Sequence, residues 1–288
     1  MGKRFDALQF PGHKNKVFTL SYDDAVVQDR RLVELFNRYG VKATFNVGYG
    51  ALGFKGSKSY HGNPPVDVSK VEVKELVSLY QGHEIGGHSL DHPDLSKIGL
   101  PQAMYQIIED KVQLEKICQR PLEMFAYPFG TFNDRIKDLV AMAGYKGART
   151  TRSTHGFDLP ADCYELDPTC HHNDPELMSL AKRFVEDDGF KPMMFYVWGH
   201  GYEFDDRHNW NVIEELLEYI SKHKEKIWFA TNGEILSYYQ AYKRLEYSGD
   251  GSLIYNPSCI DIEICTYPGV YEILKAGQIT KIKETVLL

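Results

Sequence analysis

Short apolar runs alternate along this chain with longer stretches of helical spacing. Val17-Phe18-Thr19-Leu20 reads as a strand ending at Ser21-Tyr22-Asp23-Asp24. Val27, Leu32, Val33, Leu35 and Phe36 then share one side of a helix, with Gly40 where a C-terminal stop belongs. The pattern recurs, with strands expected at 41–47, 84–87, 124–127, 145–149, 193–198 and 227–230. Helices are expected from Ser69 to about Gly82, over 100–118 and 133–143, from Asp174 to about Glu186, over 210–222, and from Asn232 to about Glu246. Residues 49–68, rich in Gly, Ser and Pro, read as a long loop. Strand–helix units in succession predict an α/β fold with a parallel sheet, and seven of them favour a distorted (β/α)7-type barrel. Beyond Glu246 the residues at 253–255, 260–265 and 270–274 read as short strands. We therefore divide the chain into a barrel over 1–246 and a small β-rich C-terminal appendage over 247–288.

Composition narrows the function. The chain has 288 residues, 43% of them hydrophobic and 25% charged, which supports a large buried core. A net charge of −7 without any dense Lys/Arg cluster argues against a nucleic-acid surface. No apolar run approaches the ~20 residues of a membrane span, and no apolar stretch follows the basic residues of 1–16 as in a secretory signal. Five scattered cysteines, with no Cys-x-x-Cys pair, fit a reducing compartment, so a cytoplasmic location is expected.

In a parallel α/β fold, ligands bind beyond the carboxyl ends of the strands. Strand one ends in Asp23-Asp24, strand three in His88-Ser89-Leu90-Asp91-His92, and strand four in Tyr127-Pro128-Phe129-Gly130. Strand five ends in Arg149 and strand six leads to His200. Two carboxylates and three histidines thus converge on one rim. His88 and His92 suit a borderline metal such as Zn²⁺, with a strand-one carboxylate as third ligand. Pro93 biases His92 away from helical backbone, so a tight loop and a helix both stay open there, with Ser89 able to hydrogen-bond the local backbone. Taken singly, each feature also reads as a surface histidine pair or a helix cap.

These residues resemble the polysaccharide deacetylase family, also called the NodB-homology or family 4 carbohydrate esterases. Ser21-Tyr22-Asp23-Asp24 is similar to its Thr-Phe-Asp-Asp motif, and His88-Ser89-Leu90-Asp91-His92 matches its His-Ser/Thr-x-x-His motif. Pro128-Phe129-Gly130 is close to its Pro-Tyr-Gly, and residues 195–200 resemble its apolar strand ending in His. The resemblance runs in order from about Val17 to Ala230 and implies a distorted (β/α) barrel that hydrolyses acetamido or acetyl ester bonds of carbohydrate. It implies that Asp24, His88 and His92 bind one divalent metal (Zn, with Co, Ni or Mn as alternatives) and that Asp23 is the general base. His200 is then the general acid, and the Phe129 backbone N–H, with Tyr127 beside it, faces the oxyanion or substrate.

Two family features are altered. The third-motif Arg that pairs with the catalytic Asp is replaced by Ala126, and we expect Arg149 on the neighbouring strand to supply that charge. The fourth motif, Asp-Trp, is not evident within 156–173, where Asp167 or His171 are the substitutes to test. Trp210 is the candidate for a sugar-binding face, whereas Trp198 reads as core. Cys170-His171-His172 reads as a polar loop without partner ligands. A related hydrolase acting on a small amide or cyclic ureide, its groove closed by residues 49–68 and the appendage, is the alternative enzyme. A catalytically decayed carbohydrate-binding protein is the alternative from another class.

Overall fold

In the computed structural model, which describes residues 7–60, 62–267 and 269–282, a short strand β1 (Ala7–Gln9) precedes the long β2 (Lys16–Asp23). Alternation along β2 sets the architecture. Phe18, Leu20 and Tyr22 join Leu32 and Phe36 in the apolar layer beneath the helices, while Thr19, Ser21 and Asp23 make polar contacts inside the sheet. Helix α1 (Asp29–Tyr39) stops at Gly40, whose left-handed φ of 66° carries no Cβ penalty, and β3 (Ala43–Val47) follows.

The described residues of 49–70 hold a one-turn helix and a hairpin of β4 (Ser57–Lys58) and β5 (Val66–Asp67). The helix expected from Ser69 is the short α2 (Leu76–Leu79), preceded by a turn in which Glu72 and Glu75 form the capping box. Ser69 instead exchanges hydrogen bonds with Gly56. Next come β6 (Glu84–Gly87), α3 (Leu100–Cys118), β7 (Met124–Ala126), α4 (Asp134–Met142), β8 (Gly147–Arg149) and β9 (Cys170–His171). After them lie α5 (Leu177–Glu186), β10 (Met193–His200), α6 (Tyr202–Asp206), α7 (Trp210–Ser221), β11 (Ile227–Phe229) and α8 (Asn232–Lys243).

The parallel sheet runs in the order β8-β7-β6-β3-β2-β10-β9. β10 pairs with β2 along its full length, whereas β11 and β3 pair with its first and second halves. Leu166 bridges to Arg149 and β9 pairs with β10, so the segment 166–171 joins the two ends of the sheet. The result is a distorted (β/α) barrel with eight strands rather than seven. The extra one, β9, is two residues long, too short for side-chain periodicity to register.

The N-terminus of α8 plugs the barrel floor. Asn232 accepts from the Thr19 hydroxyl (2.8 Å) and donates to the Tyr196 hydroxyl (2.5 Å), and Gly233 N–H donates to Glu84 (2.9 Å). Burial pushes the Glu84 carboxyl up to about 7, against the opposing pull of Gly233 N–H and the Thr44 hydroxyl.

The last helix ends at Lys243, short of the expected Glu246, because Glu246 already opens a strand. β12 (Glu246–Tyr247) pairs with β13 (Leu253–Tyr255), and β13 with the strand Ile279–Lys281. β14 (Ile262–Tyr267) lies between β15 (Val270–Leu274) and β1, so the N-terminal strand belongs to this C-terminal layer. Leu8, Phe10, Leu236, Tyr238, Ile262, Ile264 and Leu274 share one apolar cluster, which seats the layer on α8 at the barrel floor. It therefore does not close the rim groove. Among the described residues, no helix is long and apolar enough to cross a membrane.

Candidate metal centre and acid–base site

Asp23 and His200 are register partners at the ends of β2 and β10. The Asp23 carboxylate is almost fully buried; one oxygen accepts from the Asn46 amide (2.8 Å) and the other from the Arg149 guanidinium. Arg149 is the Cα partner of Ala126 across β7 and β8, and its guanidinium lies over the Trp198 ring, 4.5 Å from the centroid. Burial alone would raise the Asp23 pKa. Arg149, His88, His200 and the Asn46 amide overcome that and hold the carboxyl well below the usual range.

Asp24 turns out of the strand at φ 80°, and the ligand atoms of Asp24, His88 and His92 lie within 4.8 Å of one another. The His88 Nδ1 faces the Ala126 carbonyl at 2.8 Å. A carbonyl can only accept, so Nδ1 carries the proton and the Nε2 lone pair points into the cluster. Burial lowers the His88 pKa to about 4, which Asp23 and Asp24 only partly oppose. The His92 Nε2 lies 3.0 Å from that of His88. Two converging imidazole nitrogens and a carboxylate are a donor set that fits a divalent metal.

The loop between the histidines is tight rather than helical, with Ser89 and His92 both left-handed (φ 63° and 55°). Ser89 does not shape it, for its hydroxyl is buried without a hydrogen bond. Helix α3 does so instead. Asp110 accepts from the N–H groups of Tyr49 (2.7 Å) and His88 (3.0 Å), while Gln106 accepts from the Asp91 backbone N–H and donates to the Asp91 carboxylate (2.8 Å each). Neither Asp110 nor Gln106 stood out in the sequence, where they look like ordinary polar positions of an amphipathic helix.

The His200 Nε2 lies 4.0 Å from Asp23, and its Nδ1 3.6 Å from Glu203. Burial would lower the His200 pKa, but Glu203, Asp23 and Asp24 outweigh it and shift the group upward. His171 and His172 each bring Nε2 to 3.0 Å from Glu203, so the expected isolated polar loop is part of a second cluster. Glu203 went unnoticed in the sequence; its signal was the His-x-x-Glu spacing from His200.

Other candidates separate. Phe129, at φ 59° and 64% exposed, stands edge-on to His92 with ring centroids 4.5 Å apart. Tyr127 is buried, stacked on Phe132, and donates to the Tyr164 carbonyl (3.0 Å), so its hydroxyl is committed away from the rim. Trp210 packs between Arg31 and Phe204 and donates to Asp205, whereas Trp198 is the tryptophan beside His200, with centroids 5.7 Å apart. Asp167 is occupied by Thr150 and Arg152 rather than by His200.

The barrel rim thus carries a carboxylate pair beside a His-x-x-x-His loop. Residues 11–148, a little under half of the chain, match the polysaccharide deacetylase family model. It is 27% identical over 136 residues to the peptidoglycan-N-acetylglucosamine deacetylase of Bacillus cereus, covering 46% of this chain and 56% of that protein. It is 37% identical over 80 residues to the uncharacterized protein YlxY of Bacillus subtilis, covering 28% and 25% of the two chains. The chain thus spans a quarter to about half the length of these curated relatives. Among solved structures, a proposed polysaccharide deacetylase from Mycobacterium smegmatis shares the fold with a TM-score of 0.59 at 15% identity, covering 82% of this chain and 94% of that one.

Proposed function

We propose that this protein is a metal-dependent deacetylase that removes acetyl groups from an N- or O-acetylated carbohydrate. The observation that carries the proposal is the convergence of Asp24, His88 and His92 beside an Asp23 kept ionised by Arg149, with His200 on the adjoining strand end. Asp24, His88 and His92 would hold one divalent ion, Zn²⁺ by ligand type, with Co, Ni or Mn as alternatives. Bound there, the ion supplies a Lewis acid that polarises the acetyl carbonyl and acidifies water. Asp23 takes the proton of the attacking water as general base. The Phe129 N–H adds a hydrogen bond to the developing oxyanion. His200 gives its proton to the leaving amine or alcohol as the bond to the acyl carbon breaks, and acetate is released.

The test is turnover of acetylated oligosaccharides and of 4-nitrophenyl acetate by zinc-reconstituted protein, with a chelator control. Chelation should abolish turnover and zinc restore it, while Asp23→Asn and His200→Ala each slow the oligosaccharide reaction by ~10²-fold or more. Zinc-loaded but inert protein would favour the decayed carbohydrate-binding reading.

One observation favours a short substrate or chain end over the middle of a polymer. The insert is pinned to α6: Tyr60 stacks on Tyr202 (4.9 Å between centroids), and Asn63 donates to Asp206. Tyr202 in turn lies 5.2 Å from the His200 ring, so the hairpin walls the groove on that side. A small amide would be accepted by the same wall, and comparing turnover of a monomeric acetamido sugar with that of its oligomers separates the two.

A further inference from the structure

We infer that Glu203, anchored by His171 and His172, is a positioning residue that fixes the His200 ring with Nδ1–H toward Glu203 and Nε2 toward Asp23. The inference rests on reading His200 as the proton donor. β10 ends at His200, and a turn at Gly201 starts α6, which brings Glu203 back beneath the histidine. The His200 backbone N–H donates to Glu203 Oε2 (3.2 Å), and the His200 Nδ1 is buried without a hydrogen-bond partner, 3.6 Å from Glu203 Oε1. That distance is an ion-pair contact, longer than a hydrogen bond, of the kind that tightens when a catalytic site fills.

The second anchor is the histidine pair. His171 Nδ1 accepts the Asn173 backbone N–H (3.1 Å), so in the neutral ring the proton sits on Nε2, 3.0 Å from Glu203 Oε2. His172 is fully buried, with Nδ1 3.3 Å from the Tyr22 hydroxyl and Nε2 3.0 Å from the same Glu203 oxygen. The Tyr22 hydroxyl can donate to or accept from that Nδ1, and the His172 Nε2 is buried without a hydrogen-bond partner. Both Nε2 atoms lie at ion-pair distance from one Glu203 oxygen, His172 without the alignment of a hydrogen bond, and their proximity favours the ionised carboxylate. The packing that seats His172 needs glycine at 199, where a Cβ would lie 2.2 Å from the His172 Nδ1.

With Nδ1–H held by Glu203, the opposite nitrogen faces the reacting groups and can take up and release the proton. The family's Asp-Trp pair is replaced by a carboxylate three residues after the acid it orients.

The test uses the full chain labelled with ¹⁵N-histidine, His200 being assigned by its loss in His200→Ala. In the zinc-reconstituted protein, neutral His200 should carry its proton on Nδ1. In Glu203→Ala and in the shape-preserving Glu203→Gln it should shift to the Nε2–H tautomer. Kinetically, Glu203→Ala should slow hydrolysis of an alkyl acetate, whose leaving group needs a proton, by ~10²-fold in kcat. It should leave 4-nitrophenyl acetate, whose leaving group does not, within about threefold. Zinc should stay at one ion per chain. An unchanged tautomer, equal slowing of both esters, or a fall from two zinc ions to one in Glu203→Ala would overturn the inference. If His200→Ala itself spares the alkyl ester, the acid role of His200 fails instead, and the tautomer result still decides the positioning.

Discussion

Replacing Arg149 with methionine keeps much of the side chain's length and its contact with Trp198, but removes the guanidinium from Asp23. Both partners are nearly inaccessible, with side-chain exposures of 1% and 3%. Asp23 would keep only the Asn46 amide as a direct hydrogen-bond donor. Removing one member of a buried pair leaves an uncompensated charge and costs ~3–5 kcal/mol, a large share of a typical stability of ~5–15 kcal/mol. The Asp23 pKa would rise and the carboxylate would lose the donor that orients it as a base, a loss of ~10²–10⁴-fold in kcat. Urea unfolding of chelated protein, followed by tryptophan fluorescence, measures the first effect without interference from metal affinity. The double variant Asp23→Asn/Arg149→Met supplies the control, because removing both charges should recover most of the lost stability. A single variant within ~0.5 kcal/mol of the parent, or a double variant no more stable than Arg149→Met, would refute the reasoning.

Two further outcomes are expected. Glu84 is raised from about 4.5 to about 7, so the folded state keeps a proton that the unfolded chain releases between those values. Its stability contribution is full below about pH 4.5 and is lost as pH rises to 7, by ~3 kcal/mol for the 2.5-unit difference. Glu84→Gln should flatten that part of the urea-stability profile between pH 5 and 8, and an identical slope in both proteins would sink the assignment. Asp110→Asn puts an amide among backbone N–H donors of the metal loop. Zinc affinity by calorimetric titration should fall ~10–100-fold, and an unchanged value would show that α3 does not order the ligands.

The sequence alone determined the succession of strands and helices, the parallel sheet, and the rim that collects Asp23, Asp24, His88, His92 and His200. Those features are local or periodic: apolar spacing reports which face is buried, and strand order puts the chemistry at carboxyl ends. It could also suggest Arg149, because a charge missing at Ala126 can be sought on the next strand. Only the tertiary structure decided that Arg149 meets Asp23, a contact spanning 126 residues that depends on the register Ala126↔Arg149. It decided likewise that Trp198 rather than Trp210 stands by His200, that Tyr127 is spent on Tyr164, and that Glu203 gathers His171, His172 and His200. Periodicity specifies a direction for each side chain but not its partner, and the partner depends on inter-strand register and loop closure, which arise only when the barrel closes.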